Sequence, residues 1–292
     1  MAYKYIPSMK INSFLLLSIS FLACLIACKK GTSNDDVSNP IDSTQPVQDK
    51  TDWWKPVTGT SFDWQLDDVS PGNNFAAAVV DVDAFTTSAE TVVALHAKGK
   101  KVIAYISVGT IESDRPDANL VPAKIIGNVY PEWPKEKWLD IRQIDQLKPW
   151  LNSRINMILK KGFDGIEPDN LDSYDNEPGF DISERDVKKY SDYLITLAHA
   201  SGLAIGQKNV KELTPDFAAK FDFVITEDAF KEGWHKDVEK YITLNKPVFA
   251  VEYTDKMSQK DFESNVCPAA KQLKYTTILK KRDLTAWVDN CK

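Results

Sequence analysis

The chain has 292 residues, 43% hydrophobic and 11% aromatic, which is enough apolar material for a full core and excludes wholesale disorder. Its 42 acids against 36 bases give a formal charge of −6 with no basic patch, which argues against nucleic-acid binding by phosphate neutralisation. Three histidines with no His-x-His pair argue against a histidine-rich metallohydrolase, and no cofactor or metal is expected.

Lys4 and Lys10 flank the start of a largely apolar run from Ile11 to Ala27, near the lower limit for a membrane span. Residues 1–27 therefore read as an export signal. The run Leu25-Ile26-Ala27-Cys28 resembles a bacterial lipobox, which implies lipid on the Cys28 thiol and an exported domain anchored to a bacterial membrane on its periplasmic or cell-surface face. An ordinary signal peptide or a membrane anchor is the alternative. Residues 28–50 are rich in Ser, Thr, Asn, Asp and Pro and read as a flexible linker. Residues 51–292 remain as one domain. With Cys24 removed and Cys28 lipidated, Cys267 and Cys291 are expected to pair, as leftover cysteines of exported proteins do.

Along that domain, Phe62–Leu66 and Ala76–Asp81 read as the first two strands, with a connection too short for a helix. Ser and Thr at 87–88 before Glu90 signal a helix that runs to Gly99. Lys101–Val108 is a third strand. Residues 110–143, with four prolines and the indoles of Trp133 and Trp138, read as a long loop. Pro149–Lys161 is a helix with its proline in the first turn, followed by the strand Phe163–Glu167. Ser183–Ala200 is the clearest helix, with Val187, Tyr190, Leu194, Leu197 and Ala198 along one stripe. Then come the strand Leu203–Gly206, a helix at Lys211–Lys220, the strand Phe221–Thr226 and a helix at Trp234–Leu244. The strand Pro247–Val251, a helix at Ser258–Leu273 and the strand Thr276–Leu279 complete the series. Eight apolar strands in βα alternation predict a single α/β fold, a (β/α)8 TIM-like barrel with a short first connection. The absence of Gly-x-Gly-x-x-Gly after the first strand removes the usual reason to prefer a dinucleotide fold.

Barrel chemistry sits where strands end. The second strand ends in Asp81-Val82-Asp83, and the third carries Tyr105 and Ser107 ahead of Glu112. The fourth leads into Glu167-Pro168-Asp169-Asn170, and the fifth into Gln207-Lys208-Asn209. The sixth leads into Glu227-Asp228, and the seventh into Glu252-Tyr253. Such a bias towards one end predicts a carboxylate-lined cleft. Period-2 alternation puts Glu167 and Asp169 on one side of their strand, and Ile225 with Glu227 on one side of theirs. Two such carboxylates can divide glycoside hydrolysis, one ionised and the other kept protonated by apolar or acidic surroundings. Lys208 either holds an acid ionised or forms a structural ion pair. Trp53, Trp54, Trp64, Trp133, Trp138, Tyr105, Tyr174 and Tyr253 offer flat faces to sugar rings or pack the core, with Trp133 and Trp138 the stronger candidates for sugar.

In order along the chain, Trp54-Lys55-Pro56, Gly59–Leu66, Ala104–Gly109 and Arg115-Pro116-Asp117 resemble glycoside hydrolase family 114, the endo-α-1,4-polygalactosaminidases. So do Trp138–Arg142, Gly162–Asn170, Gly206–Asn209, Thr226-Glu227 and Val251–Tyr253. The resemblance runs from about Trp54 to Cys291, and the Gly162–Asn170 stretch is its most specific part. It implies a barrel hydrolase cutting α-1,4 linkages in galactosamine-containing polymers. It places the catalytic pair on Asp169 and Glu227, the first as nucleophile and the second as acid/base if configuration is retained. It puts Asp83, Tyr105, Glu167, Lys208, Asn209, Glu252 and Tyr253 around the sugar, and leaves Asp140 and Arg142 as an ion pair at the rim. The chain departs from the family after Glu227, where Asp228-Ala229 replaces Gln-Cys. The partner implied is an amino-sugar polysaccharide acted on by a monomer. A sugar-binding barrel without activity, or a hydrolase of another α-linked glycan, are the competing readings.

Overall fold

The computed structural model describes residues 52–291, so the export signal of residues 1–27, Cys28 and the linker of residues 28–50 lie outside the described residues. The strands β1 (Phe62–Trp64), β2 (Val79–Asp83) and β3 (Lys101–Ser107) open the chain, with helix α1 (Ala89–Ala97) between the last two. Three short strands follow: β4 (Thr110–Glu112), β5 (Ile126–Tyr130) and β6 (Trp133–Leu139). Helix α2 (Ile144–Lys161) then leads to β7 (Gly165–Asp169), and α3 (Glu184–Ala200) to β8 (Ala204–Lys208). The helical turn α4 (Thr214–Phe217) precedes β9 (Phe223–Glu227). The turns α5 (Ala229–Glu232) and α6 (Lys240–Thr243) precede β10 (Val248–Tyr253). The segments α7 (Gln259–Asp261) and α8 (Cys267–Leu273), joined by a π-helical turn, lead to β11 (Thr276–Lys280) and finally β12 (Val288–Asn290).

The strands are ordered β1-β2-β3-β7-β8-β9-β10-β11-β12 and pair in parallel, except that β12 runs antiparallel to β11. This is the predicted (β/α)8-type barrel, nearly closed. Alternation decides which side chains fill it. Val80, Val82, Val102, Ala104, Ile106, Ile166 and Ile205 face outwards and pack under the helices. Phe62, Val79, Ile103, Ala204, Phe223, Phe249 and Ile278 face inwards and form a separate apolar plug. Both faces are apolar because both are covered.

The ring closes differently at its seam. Among the described residues no strand ladder joins β1 to β11. Side chains bridge the gap instead: Thr276 Oγ1 donates to the Thr60 carbonyl at 2.8 Å, and Lys280 Nζ contacts Asp63 Oδ1 at 3.1 Å. One backbone bond, Leu66 N to the Leu284 carbonyl at 3.0 Å, adds to them. Beside the seam, the expected Cys267–Cys291 disulfide is formed, tying α8 to the strand that follows β11.

Three expectations need correction. The long loop of residues 110–143 is a small antiparallel sheet in the order β4-β6-β5, built on the barrel mouth. Its prolines hid the strand pattern, but Pro122 and Pro131 lie in turns and only Pro134 falls inside a strand. Helix α2 begins at Ile144, five residues before Pro149, because Leu147, Trp150 and Leu151 are buried and hold the extra turn. The helices expected over 211–220 and 234–244 are split into short α and 3-10 turns. Helix α3 stands as predicted, with Ser183 and Asp186 closing a reciprocal capping box.

Candidate active site

At the C-terminal ends of the strands the inward faces turn from apolar to charged. The same alternation that buries Val79 and Ile103 brings Asp81, Asp83, Tyr105, Glu167, Asp169, Lys208, Glu227 and Tyr253 to the axis. Gly206 makes room on β8: a Cβ there would lie 2.2 Å from the Phe223 ring, which fills the layer beneath Lys208. Gly109 does the same at the rim, where a Cβ would meet the Asn170 carbonyl oxygen at 1.6 Å. The chain leaves β7 through Asn170 and β8 through Asn209, both in the left-handed region at φ 64° and 48°, which asparagine tolerates.

Lys208 is the hub. Its Nζ lies 2.8 Å from Glu167 Oε1, 3.0 Å from Asp169 Oδ1 and 3.2 Å from Glu227 Oε2, and 4.5 Å above the Trp64 ring. Burial opposes its charge, but Asp169, Glu167 and Glu227 outweigh burial and hold the ammonium well above its ordinary pKa. Tyr105 donates to Asp169 Oδ2 at 2.9 Å and Tyr253 to Glu227 Oε1 at 2.6 Å. Asn209 binds Glu227 twice, through Nδ2 to Oε2 at 3.0 Å and through Oδ1 to the Glu227 N–H at 2.8 Å. Each of the two carboxylates is thus gripped by a tyrosine and by one shared cation.

This geometry corrects one expectation. Burial would raise the Glu227 carboxyl, yet Lys208 together with Tyr253 and Asn209 overcomes it and holds the group below its ordinary value. Glu227 is not kept protonated by apolar surroundings. The raised carboxyls are others: burial and the nearby Glu112 and Asp169 push Glu136 up to about 7, and burial with Asp169 pushes Asp172 up to about 6.

The small sheet forms one wall. Asp83 accepts from the Phe85 and Thr86 N–H groups and pairs with Arg115, whose Nε also holds Glu112 at 2.7 Å. The buried Arg154 reaches Glu112 and Asp117 behind them. Glu136 accepts from Thr110 Oγ1 at 2.5 Å and from Asn170 Nδ2 at 3.4 Å, which ties the sheet to the residue following Asp169.

The result is a cleft of about 660 Å³ lined by eight carboxylates and four cations, all four of which already touch an acid. Asp83, Tyr105, Asp169, Lys208, Glu227 and Tyr253 line it, as expected. Glu167 lies beneath its floor, 1% exposed, and Asn209 stands behind Glu227, so neither lines the cleft. Glu252 does not belong to it. Being one residue out of phase with Val251 and Tyr253, it points outwards and accepts the Phe230 and Lys231 N–H groups at 2.9 and 3.1 Å. Trp138 is buried against Tyr130, Trp53 stacks on His199, and Tyr174 bonds Glu212, all outside the cleft. Asp140 and Arg142 form the expected ion pair at 2.7 Å.

Glu136, Tyr130 and Arg282 line the cleft without having been singled out from sequence. For Glu136 the signal was present: Glu136 and Trp138 are two apart, as one face of a strand requires. Among the described residues no group of three or more His, Cys, Asp or Glu is arranged to hold a metal ion.

The fold has solved counterparts. Ega3 of Aspergillus fumigatus, solved in complex with galactosamine, superposes with a TM-score of 0.76 at 30% identity, covering 82% of this chain and 98% of that one. The glycoside hydrolase domain of PelA from Pseudomonas aeruginosa superposes at 0.61 with 16% identity, covering 78% and 96%, a likeness of fold. Among curated proteins no relative matches the chain. The sequence profile of glycoside-hydrolase family GH114 matches residues 43–292, the whole described domain, so this chain belongs to that family and is a glycoside hydrolase.

Proposed function

We propose that the chain is an endo-acting hydrolase of α-1,4-linked, galactosamine-containing polysaccharide. In this reading Asp169 is the nucleophile and Glu227 the acid/base. The observation that carries it is the single ammonium of Lys208 touching an oxygen of each carboxylate, at 3.0 and 3.2 Å. Those two oxygens are no farther apart than the two contacts laid end to end. Both carboxylates thus face one small site, and we take the pair to act with retention, as carboxyl groups ~5–5.5 Å apart do. Asp169 attacks the anomeric carbon while Glu227, in its protonated form, which its lowered pKa makes the minor one at neutral pH, gives that proton to the leaving glycosidic oxygen. Glu227 then takes a proton from the water that releases the glycosyl ester. Tyr105 and Lys208 fix Asp169, and Tyr253 and Asn209 fix Glu227.

Two observations support the substrate class. The relative at 30% identity was solved with galactosamine, and the cleft carries twice as many carboxylates as cations, which suits a polymer of protonated amino sugars. We further propose that the chain is exported, lipidated on Cys28 and active as a monomer. Labelling with a fatty acid that is lost in Cys28→Ser tests the anchor, and sedimentation tests the monomer.

The deciding experiment is product release from partly de-acetylated α-1,4-galactosaminogalactan by the parent, Asp169→Asn and Glu227→Gln. Oligosaccharides of retained configuration from the parent and none from either variant are expected. A parent that binds the polymer without cutting it makes the chain a sugar-binding barrel.

A further inference from the structure

Trp133 opens β6 beside the turn of the small sheet and is 54% exposed, the one aromatic among the exposed large hydrophobic side chains of the described residues. An indole left in water forgoes the burial that usually places this side chain. Its neighbour along the strand shows the contrast. Trp138 is 1% exposed and packs against Tyr130 at 4.9 Å between ring centres, so it holds the sheet together and Trp133 is not needed for that.

Trp133 also stands where the cleft continues. Glu112, Arg115, Trp133 and Glu136 line both the main cleft and a second cavity of about 610 Å³, completed by Asp114, Pro134 and Lys135. The shared wall is stiff: β6 is paired on both sides, and Glu136 is bonded to Thr110 and Asn170. The platform is therefore held at a fixed place relative to Asp169. The other side chains lining this cavity, Pro134 apart, are charged: Glu112, Arg115, Glu136 and the Asp114–Lys135 pair at 2.8 Å.

We propose that Trp133 and this second cavity form an outer subsite for the same polymer, holding one pyranose unit stacked on the indole beyond the units bound at Asp169 and Glu227. The inference rests on the glycan-hydrolase reading. A flat apolar face with polar groups at its edge is what a pyranose presents in complement, apolar C–H faces with hydroxyls around the rim. Continuity with the cleft, rather than the hydrophobicity of the indole alone, assigns the occupant to the polymer.

The test compares parent and Trp133→Ala on α-1,4-galactosamine oligomers of increasing length, with KM from product release and affinity by calorimetry on the Asp169→Asn background. The expected result is a length-dependent loss. KM and Kd for long oligomers rise about three- to tenfold, as losing one aromatic stack does, while the ratio between long and short oligomers collapses. Trp133→Tyr restores most of the ratio. An unchanged ratio overturns the inference, as does a loss equal for all lengths. A concentration-dependent dimer that disappears in Trp133→Ala also overturns it, by assigning the indole to contact between copies. Failure of the underlying reading is distinct: the parent then releases no oligosaccharide of any length.

Discussion

Asp81 and Glu167 are neighbours inside the barrel, and among the described residues neither oxygen of Asp81 nor Oε2 of Glu167 has a hydrogen-bond donor from any other group. Two carboxylates cannot both accept, so one carries the proton. Burial and the neighbouring Glu167 push Asp81 far above its ordinary value, and burial, opposed by Lys208, leaves Glu167 at about 7. Asp81 is thus held protonated beside Glu167, whose Oε1 holds Lys208 at 2.8 Å.

This pair sets a pH dependence of stability. Both pKa values are raised on folding, so their contribution is complete below the ordinary carboxylate range and is lost as pH rises, through about 7 for Glu167. Each group weakens the fold by up to about 1.4 kcal/mol per pH unit inside that window. Asp81→Asn keeps a donor and removes the titration. Its urea midpoint, followed from pH 4 to 8, is expected to fall less steeply than that of the parent; parallel curves sink the assignment.

Lys208 shares one charge among three carboxylates. Lys208→Met leaves them uncompensated, which is expected to cost about 3–5 kcal/mol in denaturant unfolding and at least about 100-fold in kcat/KM. Lys208→Arg is expected not to rescue activity, since the fork of a guanidinium does not fit between three carboxyl groups and the Trp64 ring.

Tyr253 helps hold Glu227 below its ordinary value. Where Glu227 acts as the acid, activity falls as pH rises through its pKa. Tyr253→Phe removes the donor at 2.6 Å and lets burial raise Glu227, so the basic limb of the kcat/KM profile is expected to move to higher pH. A limb that stays in place would show that another group governs it.

Glu136 at about 7 changes charge near neutrality. Above that pH it adds a negative charge to the cleft wall. KM for a de-acetylated oligomer is expected to drop between pH 6 and 8 in the parent, beyond the change due to the sugar amine itself, and to lose that drop in Glu136→Gln.

Loss of the disulfide acts on stability alone. The double change Cys267→Ser and Cys291→Ser opens a loop of 24 residues and is expected to cost about 3 kcal/mol. It is read as a lowered Tm with kcat unchanged.

The eight barrel strands were legible because each is apolar on both faces, and strand ends carry their acids in phase with the buried side. That phase put Asp169 and Glu227 on the inner side of their strands, while Asp83, Tyr105, Lys208 and Tyr253 were placed around the sugar by the family resemblance. Glu252 was put with them wrongly, because an acid after an apolar run looks the same whether it faces in or out; only its register against Val251 and Tyr253 decides. The small sheet was illegible for another reason. Its strands are short and largely exposed, so β5 and β6 lack the apolar run that marks a buried strand, and the pairing of β6 with β4 spans a separation that local pattern does not encode. Asp81 appeared as one more strand-end acid, and its proton became visible only once Glu167 was placed against it.

The seam between β1 and β11 gives the barrel an order of assembly. The barrel strands β1, β2, β3 and β7 to β10 can pair side by side as they emerge from synthesis, each with the barrel strand before it, β7 joining β3. The cylinder stays an open, curved sheet until β11 arrives and Lys280 finds Asp63, 217 positions upstream. Until then Trp64, which floors the site under Lys208, borders an unsealed edge. Closure of the ring thus depends on the last strands of the chain, and the Cys267–Cys291 disulfide fastens those strands beside the seam they complete.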